Sequence, residues 1–451
     1  MMTLLAINWA ETGIKAAQFV LSFSIIVVLH EMGHFLPAKW FKCRIEKFYL
    51  FFNPWFSLVK KKIGETEWGL GWIPFGGYVK ISGMIDESMD KEQLKLPAQP
   101  WEFRSKPAWQ RLIIMVGGVT VNLILGFFIY AMMLWHWGDE YIPTNTLKYG
   151  ISVDSLSQSI GLKNGDQVLS VDGKYVEKFR TIPLNIILRH AKTIEVDRDG
   201  KKETISIPED FAGKLIKFKD INFIGIRAPF EAVDSVVAGT AAAKAGLQKN
   251  DKIISYNGIS NIFYSDFRTY VKLNRGKPME MVALRGSDSL KLSLVISPEG
   301  VVGLYPKEVT KLPFESKKIN YSLAASFPAG ITKSKETLQN YWLQIKLIFS
   351  GKVNPSESVG SVISIANMYS AKWDWQGFWS ITAFFSLALG LMNILPIPAL
   401  DGGHALFTLI EMITGRKPSD KFIEYAQMAG MILLMGVMAY ALGLDIFRLF
   451  K

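Results

Sequence analysis

The sequence predicts a polytopic α-helical membrane protein with four transmembrane helices. A membrane-associated β element lies between the first two, and two small β-rich domains stand in tandem outside the membrane. Four long apolar runs, a recurring 13-residue block and the overall composition carry this reading. Hydrophobic residues make up 49% of the 451 and charged residues 20%, a balance that excludes a disordered chain and differs from an ordinary soluble enzyme. Lys and Arg exceed Asp and Glu by 11. In so apolar a chain that excess points to an anionic membrane surface and not to nucleic acid. The single cysteine, Cys43, excludes an intramolecular disulfide framework or a Cys-based zinc cluster. Any imidazole-based metal site must draw on five histidines, at 30, 34, 136, 190 and 404.

The first apolar run is Ala16 to Leu29, continuing to Leu36 before Pro37. Met1–Lys15 is not a basic leader and no small-x-small cleavage site follows, so the segment is expected to be a retained span and not a signal peptide. Leu112–Trp137, Phe378–Leu400 and Tyr425–Phe447 are the other three runs. About twenty helical residues cross a ~30 Å hydrocarbon core. The expected organisation is a first span in 1–37, a membrane-associated cytoplasmic region in 38–107 and a second span in 108–138. A third span in 378–401, a cytoplasmic loop in 402–424 and a fourth span with the C-terminus in 425–451 complete it. Orientation follows from basic residues in the short connections. Lys39, Lys60, Lys61, Lys62, Lys91, Lys95 and Arg111 lie among those between spans one and two, and Arg416, Lys417 and Lys421 between spans three and four, whereas only Lys15 precedes the first span. The positive-inside rule places both connections in the cytoplasm, and both termini with the long 138–377 segment outside.

That outer segment contains a repeat. Gly161-Leu-Lys-Asn-Gly-Asp-Gln-Val-Leu-Ser-Val-Asp-Gly173 recurs as Gly246-Leu-Gln-Lys-Asn-Asp-Lys-Ile-Ile-Ser-Tyr-Asn-Gly258, with five of thirteen positions identical. An Asp ahead of a short apolar strand, then an Asp-Gly or Asn-Gly turn, is a strand-and-hairpin pattern. The block resembles a glycine- and aspartate-containing element of PDZ domains, which implies two tandem PDZ-like domains over 139–225 and 226–310. In 311–377, Leu338–Phe349 reads as an amphipathic helix on the outer membrane face. Trp373, Trp375 and Trp379 fit an interfacial belt at the start of span three.

The chemistry is concentrated in Leu29-His30-Glu31-Met32-Gly33-His34. On a helix, His30 and His34 project from one face one turn apart and can bind one metal ion, while Glu31 is rotated by about 100° and free to act as general base. Ionisable groups at the end of a membrane run are costly, which favours a functional role over a capping one. Catalytic zinc needs a third protein ligand and one open position. Spans one and three run parallel, so the C-terminal end of span three reaches the depth of the two histidines. There stands Asn393-Ile-Leu-Pro396-Ile-Pro398-Ala-Leu400-Asp401-Gly402-Gly403-His404. Two prolines break the helix, which is tolerated in a membrane where backbone is buried in protein or lines a wet cavity. Asp401 is the carboxylate at this end, so the expected ligands of one Zn2+ are His30, His34 and Asp401. His404 is a further candidate, lying beyond the break. The Asn393 amide suits a substrate carbonyl, with an interhelical hydrogen bond as the plainer alternative.

His30-Glu-x-x-His34, Gly118-x-x-x-Asn122, Asn393-x-x-Pro-x-Pro-x-Leu-Asp401-Gly and the tandem insert occur in an order that resembles the site-2 protease family of intramembrane zinc metalloproteases, in its bacterial sigma-E-regulator type. The resemblance covers essentially the whole chain. It implies zinc on His30, His34 and Asp401, catalysis by Glu31, and substrate or loop positioning by Asn393 and Asn122. The glycine-rich, aromatic stretch Glu67–Ile81 becomes a membrane-dipping β element near the metal. Gly76, Gly77 and Tyr78 are its expected substrate contacts, holding an unwound substrate by strand addition. One departure is Ser361-Val362, where the family often has Gly-Pro. The implied function is hydrolysis within transmembrane segments of previously truncated single-span proteins, such as anti-sigma-factor-like regulators or signal-peptide remnants. The implied setting is regulated intramembrane proteolysis, in the bacterial inner membrane with the outer domains periplasmic. Its partners are those substrates and the bilayer, not nucleic acid. A membrane-anchored, non-catalytic PDZ scaffold is the alternative, and it has no need of Asp401 opposite the histidines.

Overall fold

The Asn8 side chain accepts from the Glu11 amide and starts helix α1, Trp9–Trp40. The computed structural model describes residues 8–84, 97–217, 223–260, 262–307, 312–351, 353, 356 and 360–449. Lys91, Lys95, the first seven residues and the boundary expected at 310 lie outside these. α1 continues past Pro37, where the sequence suggested an end. A proline at 37 removes the donor that the Gly33 carbonyl would use. That carbonyl faces Gly117 of helix α2, Ala108–Trp137, so closely that a β-carbon on Gly117 would overlap it. The helix thus survives its proline where another backbone packs against the freed oxygen.

Helix α3 is Leu323–Phe349, longer than the expected Leu338–Phe349. The helix contains both Pro328 and Gly330, and Gly330 fits against the Ala131 backbone. Asp374 accepts from the Gln376 and Gly377 amides at 3.0 and 3.1 Å and caps helix α4, Trp375–Ile394. The third span therefore ends at Ile394, before Asp401. Residues 402–424, expected as a loop, are mostly helix: α5 is Asp401–Thr414, closed by Gly415 in the left-handed conformation. Helix α6 is Asp420–Leu449, beginning before the expected Tyr425. Among the described residues four helices, α1, α2, α4 and α6, are long and apolar enough to cross a membrane.

Residues 8–138, 320–342 and 360–449 belong to one compact unit. Small residues bring its helices together. Gly33 meets Gly117 and Gly118, and Gly126 accepts Leu387 of α4. Ile129, Tyr130 and Met133 of α2 bury against Ala383 and Leu387. Thr382 donates to Ser22 at 2.9 Å, a buried hydrogen bond between α4 and α1.

A four-stranded sheet belongs to the same unit, with strands β1 Ile45–Phe52, β2 Val59–Ile63, β3 Thr66–Leu70 and β4 Ile73–Ile81 in the order β2-β3-β1-β4. The pattern over 67–81 suggests only part of this sheet, and β1 and β2 extend it within the β region expected over 38–107. β1 runs parallel to β3 and antiparallel to β4, pairing Tyr49 with Tyr78 and Leu50 with Gly77. The Tyr49, Tyr78 and Phe52 rings stack in a row. Tyr78 donates to Asn53 at 2.9 Å and Tyr49 to Glu67 at 2.6 Å, which fixes the rings.

The second unit holds residues 139–319 and 343–358, as far as they are described. Its two halves are built alike. In the first, Ile151–Val153 pairs with Ile224–Ile226, and Gln167–Val171, Thr193–Arg198 and Lys201–Ser206 form a three-stranded sheet over an apolar core. In the second, Val233–Val236 pairs with Leu304–Pro306, and Lys252–Tyr256, Pro278–Arg285 and Asp288–Val295 form the sheet. The strand ending at Ile226 carries the first half one residue past the expected boundary.

The sequence repeat is the same clamp made twice. Asp166 accepts from the Lys163 amide at 2.8 Å, while Arg198 binds Asp166 and the Gly161 carbonyl. Asp251 accepts from the Gln248 amide at 2.8 Å, while Arg285 binds Asp251 and the Gly246 carbonyl. The Arg285 guanidinium holds the Asp251 carboxyl below its ordinary range. Between the halves, Asp266 is bonded by Asn164 at 2.6 Å and by Arg227, whose guanidinium lies 3.8 Å from the centre of the Phe263 ring.

Candidate metal centre and active site

His30 and His34 are one turn apart on the buried face of α1, and Asp401 is the first residue of α5. The α4–α5 break brings them together. Pro396 and Pro398 interrupt the helix, Ala399 takes a positive φ of 77°, and Gly402 and Gly403 pack on the carbonyls of residues 394, 395 and 397. Asp401 Oδ2 then lies 3.3 Å from the Nε2 atoms of both His30 and His34, which are 3.4 Å apart. The centre of that triangle is about 1.9 Å from each corner, close to the ~2.0–2.2 Å of zinc–nitrogen and zinc–carboxylate bonds. Asp401 Oδ2 is buried with no hydrogen-bond partner, an expensive condition that a cation relieves. The three residues form a group that can hold a metal ion, and two imidazoles with one carboxylate are a zinc donor set.

The surroundings leave room for the rings. A β-carbon on Gly118 would strike both imidazoles, and one on Gly33 would strike the α2 backbone. His34 Nδ1 lies 2.8 Å from the Ile114 carbonyl. Glu31 is buried beside the pair. At Gly77 of β4 a β-carbon would lie 2.7 Å from Val27 and 3.5 Å from the Glu31 side chain. β4 is thereby an edge strand passing along the glutamate.

The other sequence candidates are placed as follows. Asn393 Nδ2 is 3.4 Å from His30 Nε2, at the rim of the triangle. Asn122 is wholly buried, with its amide 3.1 Å from His30 Nδ1. Gly76 lies under the Phe52 ring, and the Tyr78 hydroxyl is engaged by Asn53, within the sheet. His404 is turned to Gln427 of α6 and is absent from the metal-binding group. Sequence reasoning missed Gly33, Gly117 and the Ile114 carbonyl. Glycines placed inside two apolar spans, where small residues let helix backbones approach closely, are the signal that points to the first two.

The chain is similar to known proteins along nearly its whole length. The family model described as Peptidase family M50 matches residues 18–437. The chain is 28% identical to the regulator of sigma-E protease RseP of Salmonella typhimurium, over 99% of this chain and all of that protein. It is 27% identical to the protein of the same name from Escherichia coli, and 29% identical to the protease RseP of Yersinia pestis, each over 96% of this chain and 98% of the relative. With the family model spanning nearly its whole length, the chain belongs to peptidase family M50, the site-2 proteases, and is a zinc metalloprotease of that type.

Proposed function

We propose that this protease hydrolyses peptide bonds inside transmembrane segments of single-span membrane proteins already shortened by an earlier cleavage, with anti-sigma-factor-like regulators as the substrate class and signal-peptide remnants as a second source. The triangle of His30, His34 and Asp401 with Glu31 beside a strand edge is the observation that carries the reading. His30, His34 and Asp401 would hold the zinc, which when bound supplies a Lewis acid and lowers the pKa of water. Glu31 takes the proton from the attacking water and returns it to the leaving amine. Asn393 holds the scissile carbonyl and the charge that develops on it.

A transmembrane helix satisfies its own backbone groups, which shields its peptide bonds from attack. Strand addition to the free edge of β4, at Gly76, Gly77 and Tyr78, offers the substrate backbone replacement hydrogen bonds while it is extended. Those residues then act mainly through their backbone, since the Tyr78 hydroxyl is already bonded. The two repeated outer domains are read as PDZ-like modules that exclude untruncated substrates. The basic connections favour an inner-membrane orientation with the outer domains and termini periplasmic and the catalytic residues towards the cytoplasm.

Replacing Glu31 by Gln tests the mechanism. Cleavage of a model single-span peptide by the full chain in detergent should fall by about 10²–10⁴-fold with zinc content kept. A wild-type rate in the variant would refute Glu31 as the base, whereas no cleavage by the parent chain would favour the non-catalytic scaffold.

A further inference from the structure

The outer nitrogens of the two imidazoles are held differently. His34 Nδ1 faces the Ile114 carbonyl, which only accepts, so His34 carries its proton on Nδ1 and leaves Nε2 free towards Asp401. His30 Nδ1 instead faces the Nδ2 group of Asn122, a donor, at 3.1 Å. With the amide in this orientation Nδ1 accepts, and the His30 proton sits on Nε2, 3.3 Å from Asp401 Oδ2. Meanwhile Asn122 Oδ1 is buried with no hydrogen-bond partner. The Asn122 backbone is held, its carbonyl accepting from Ser386 Oγ at 2.7 Å. Its terminal amide remains free to exchange ends, because oxygen and nitrogen occupy nearly equivalent positions on either side of the Cγ atom.

From this we infer that Asn122 is the positioning residue of His30. Its carboxamide donates to Nδ1 while Nε2 faces Asp401 Oδ2 at 3.3 Å. Turned by half a rotation, it places Oδ1 against Nδ1–H, the tautomer in which Nε2 is a ligand. The inference rests on the reading of His30, His34 and Asp401 as the zinc site, and it replaces the substrate contact expected of Asn122. Helix α2 then orients both imidazoles, one through a backbone carbonyl and one through a side chain that serves either tautomer.

The test is zinc affinity, measured by competition with a chromophoric chelator on the full chain in detergent. Asn122→Leu, of similar size with no acceptor, should bind zinc about 10- to 100-fold more weakly. Asn122→Asp, whose carboxylate accepts from Nδ1–H, should stay within about threefold of the parent, whereas a purely space-filling role would leave the Leu variant near the parent as well. Asn122→Ala provides the truncation should the Leu variant fail to fold. Wild-type affinity in the truncation, or an equal loss in the Asp variant, overturns the inference. His30→Ala separates the two levels. If that change leaves affinity intact, the zinc site itself is misassigned. If it weakens binding and Asn122→Ala does not, only the positioning role falls.

Discussion

Gly118 of the second span faces His34 of the first at a distance that admits no side-chain carbon between them. A methyl group there would meet His34 Nε2 and the His30 ring, so the metal pocket exists only because position 118 lacks a β-carbon. Gly118→Ala should destabilise the protein by about 1–3 kcal/mol as an overpacked core does. It should also weaken zinc binding, because the displaced atoms are the proposed donors. Thermal unfolding and chelator competition on the same preparation check both. An unchanged zinc affinity would contradict the packing argument.

Chelation should reveal the cost of the unpartnered Asp401 oxygen. Zinc bound only to the folded state stabilises it by mass action, by about 2.7 kcal/mol at a free concentration one hundred times Kd. Removing it should lower the melting temperature of the wild type. Asp401→Asn replaces the buried carboxylate by a neutral amide, and its melting temperature should respond little to chelator. An equal drop in both would argue that Asp401 is not a ligand.

Acid should open the second outer domain by way of Asp251. The Arg285 guanidinium keeps this carboxyl below its usual range in the folded state. A depressed folded pKa gives stability that is present above the unfolded value near 3.9 and is lost as pH falls through the folded value. Hydrogen exchange at Lys252–Tyr256 and Pro278–Arg285 should therefore accelerate below about pH 4. Asp251→Asn should remove most of that acid dependence and cost about 1–3 kcal/mol at neutral pH. Acid-insensitive exchange in the wild type would count against the clamp.

Asp445 supplies a structural account of the segment that departs from the family pattern. Its carboxylate accepts from Ser361 N at 2.9 Å, Ser361 Oγ at 2.6 Å, Ser364 N at 3.2 Å and Ser364 Oγ at 2.8 Å. The short helix Val362–Ala366 is thus tied to α6 by one buried side chain. Asp445→Ala should cost about 1.5–3 kcal/mol and raise exchange at residues 361–366. Protection unchanged from the wild type would show that α6 does not hold this segment.

Much of this architecture is legible in the sequence for identifiable reasons. The four spans are readable because an apolar run of span length has few alternatives. His30, Glu31 and His34 are readable because their spacing is local. Asp401 requires the further step of matching the depths of two parallel spans, which the break at Pro396 and Pro398 makes possible. What stayed hidden depends on contacts across the chain. Pro37 looks like a helix end, yet tertiary packing carries α1 past it, and α3 begins at Leu323, well before Leu338. Ala399 at positive φ has no composition signal, since such conformations are the habit of glycine and asparagine. Arg198 and Arg285 lie outside the repeated block, so the partners of Asp166 and Asp251 emerge only when the strands pair.

The sheet beside Glu31 has two unlike margins. Along β2, Lys60, Lys61 and Lys62 are all exposed, and a guest backbone docking there would have to bury their ammonium groups. β4 bears a single lysine, Lys80, already paired with Glu46 at 3.4 Å. Under the proposed chemistry, one side is fenced and the other is a gate. What passes is chosen by a helix's readiness to surrender its own coil, more than by the identity of the residues it brings.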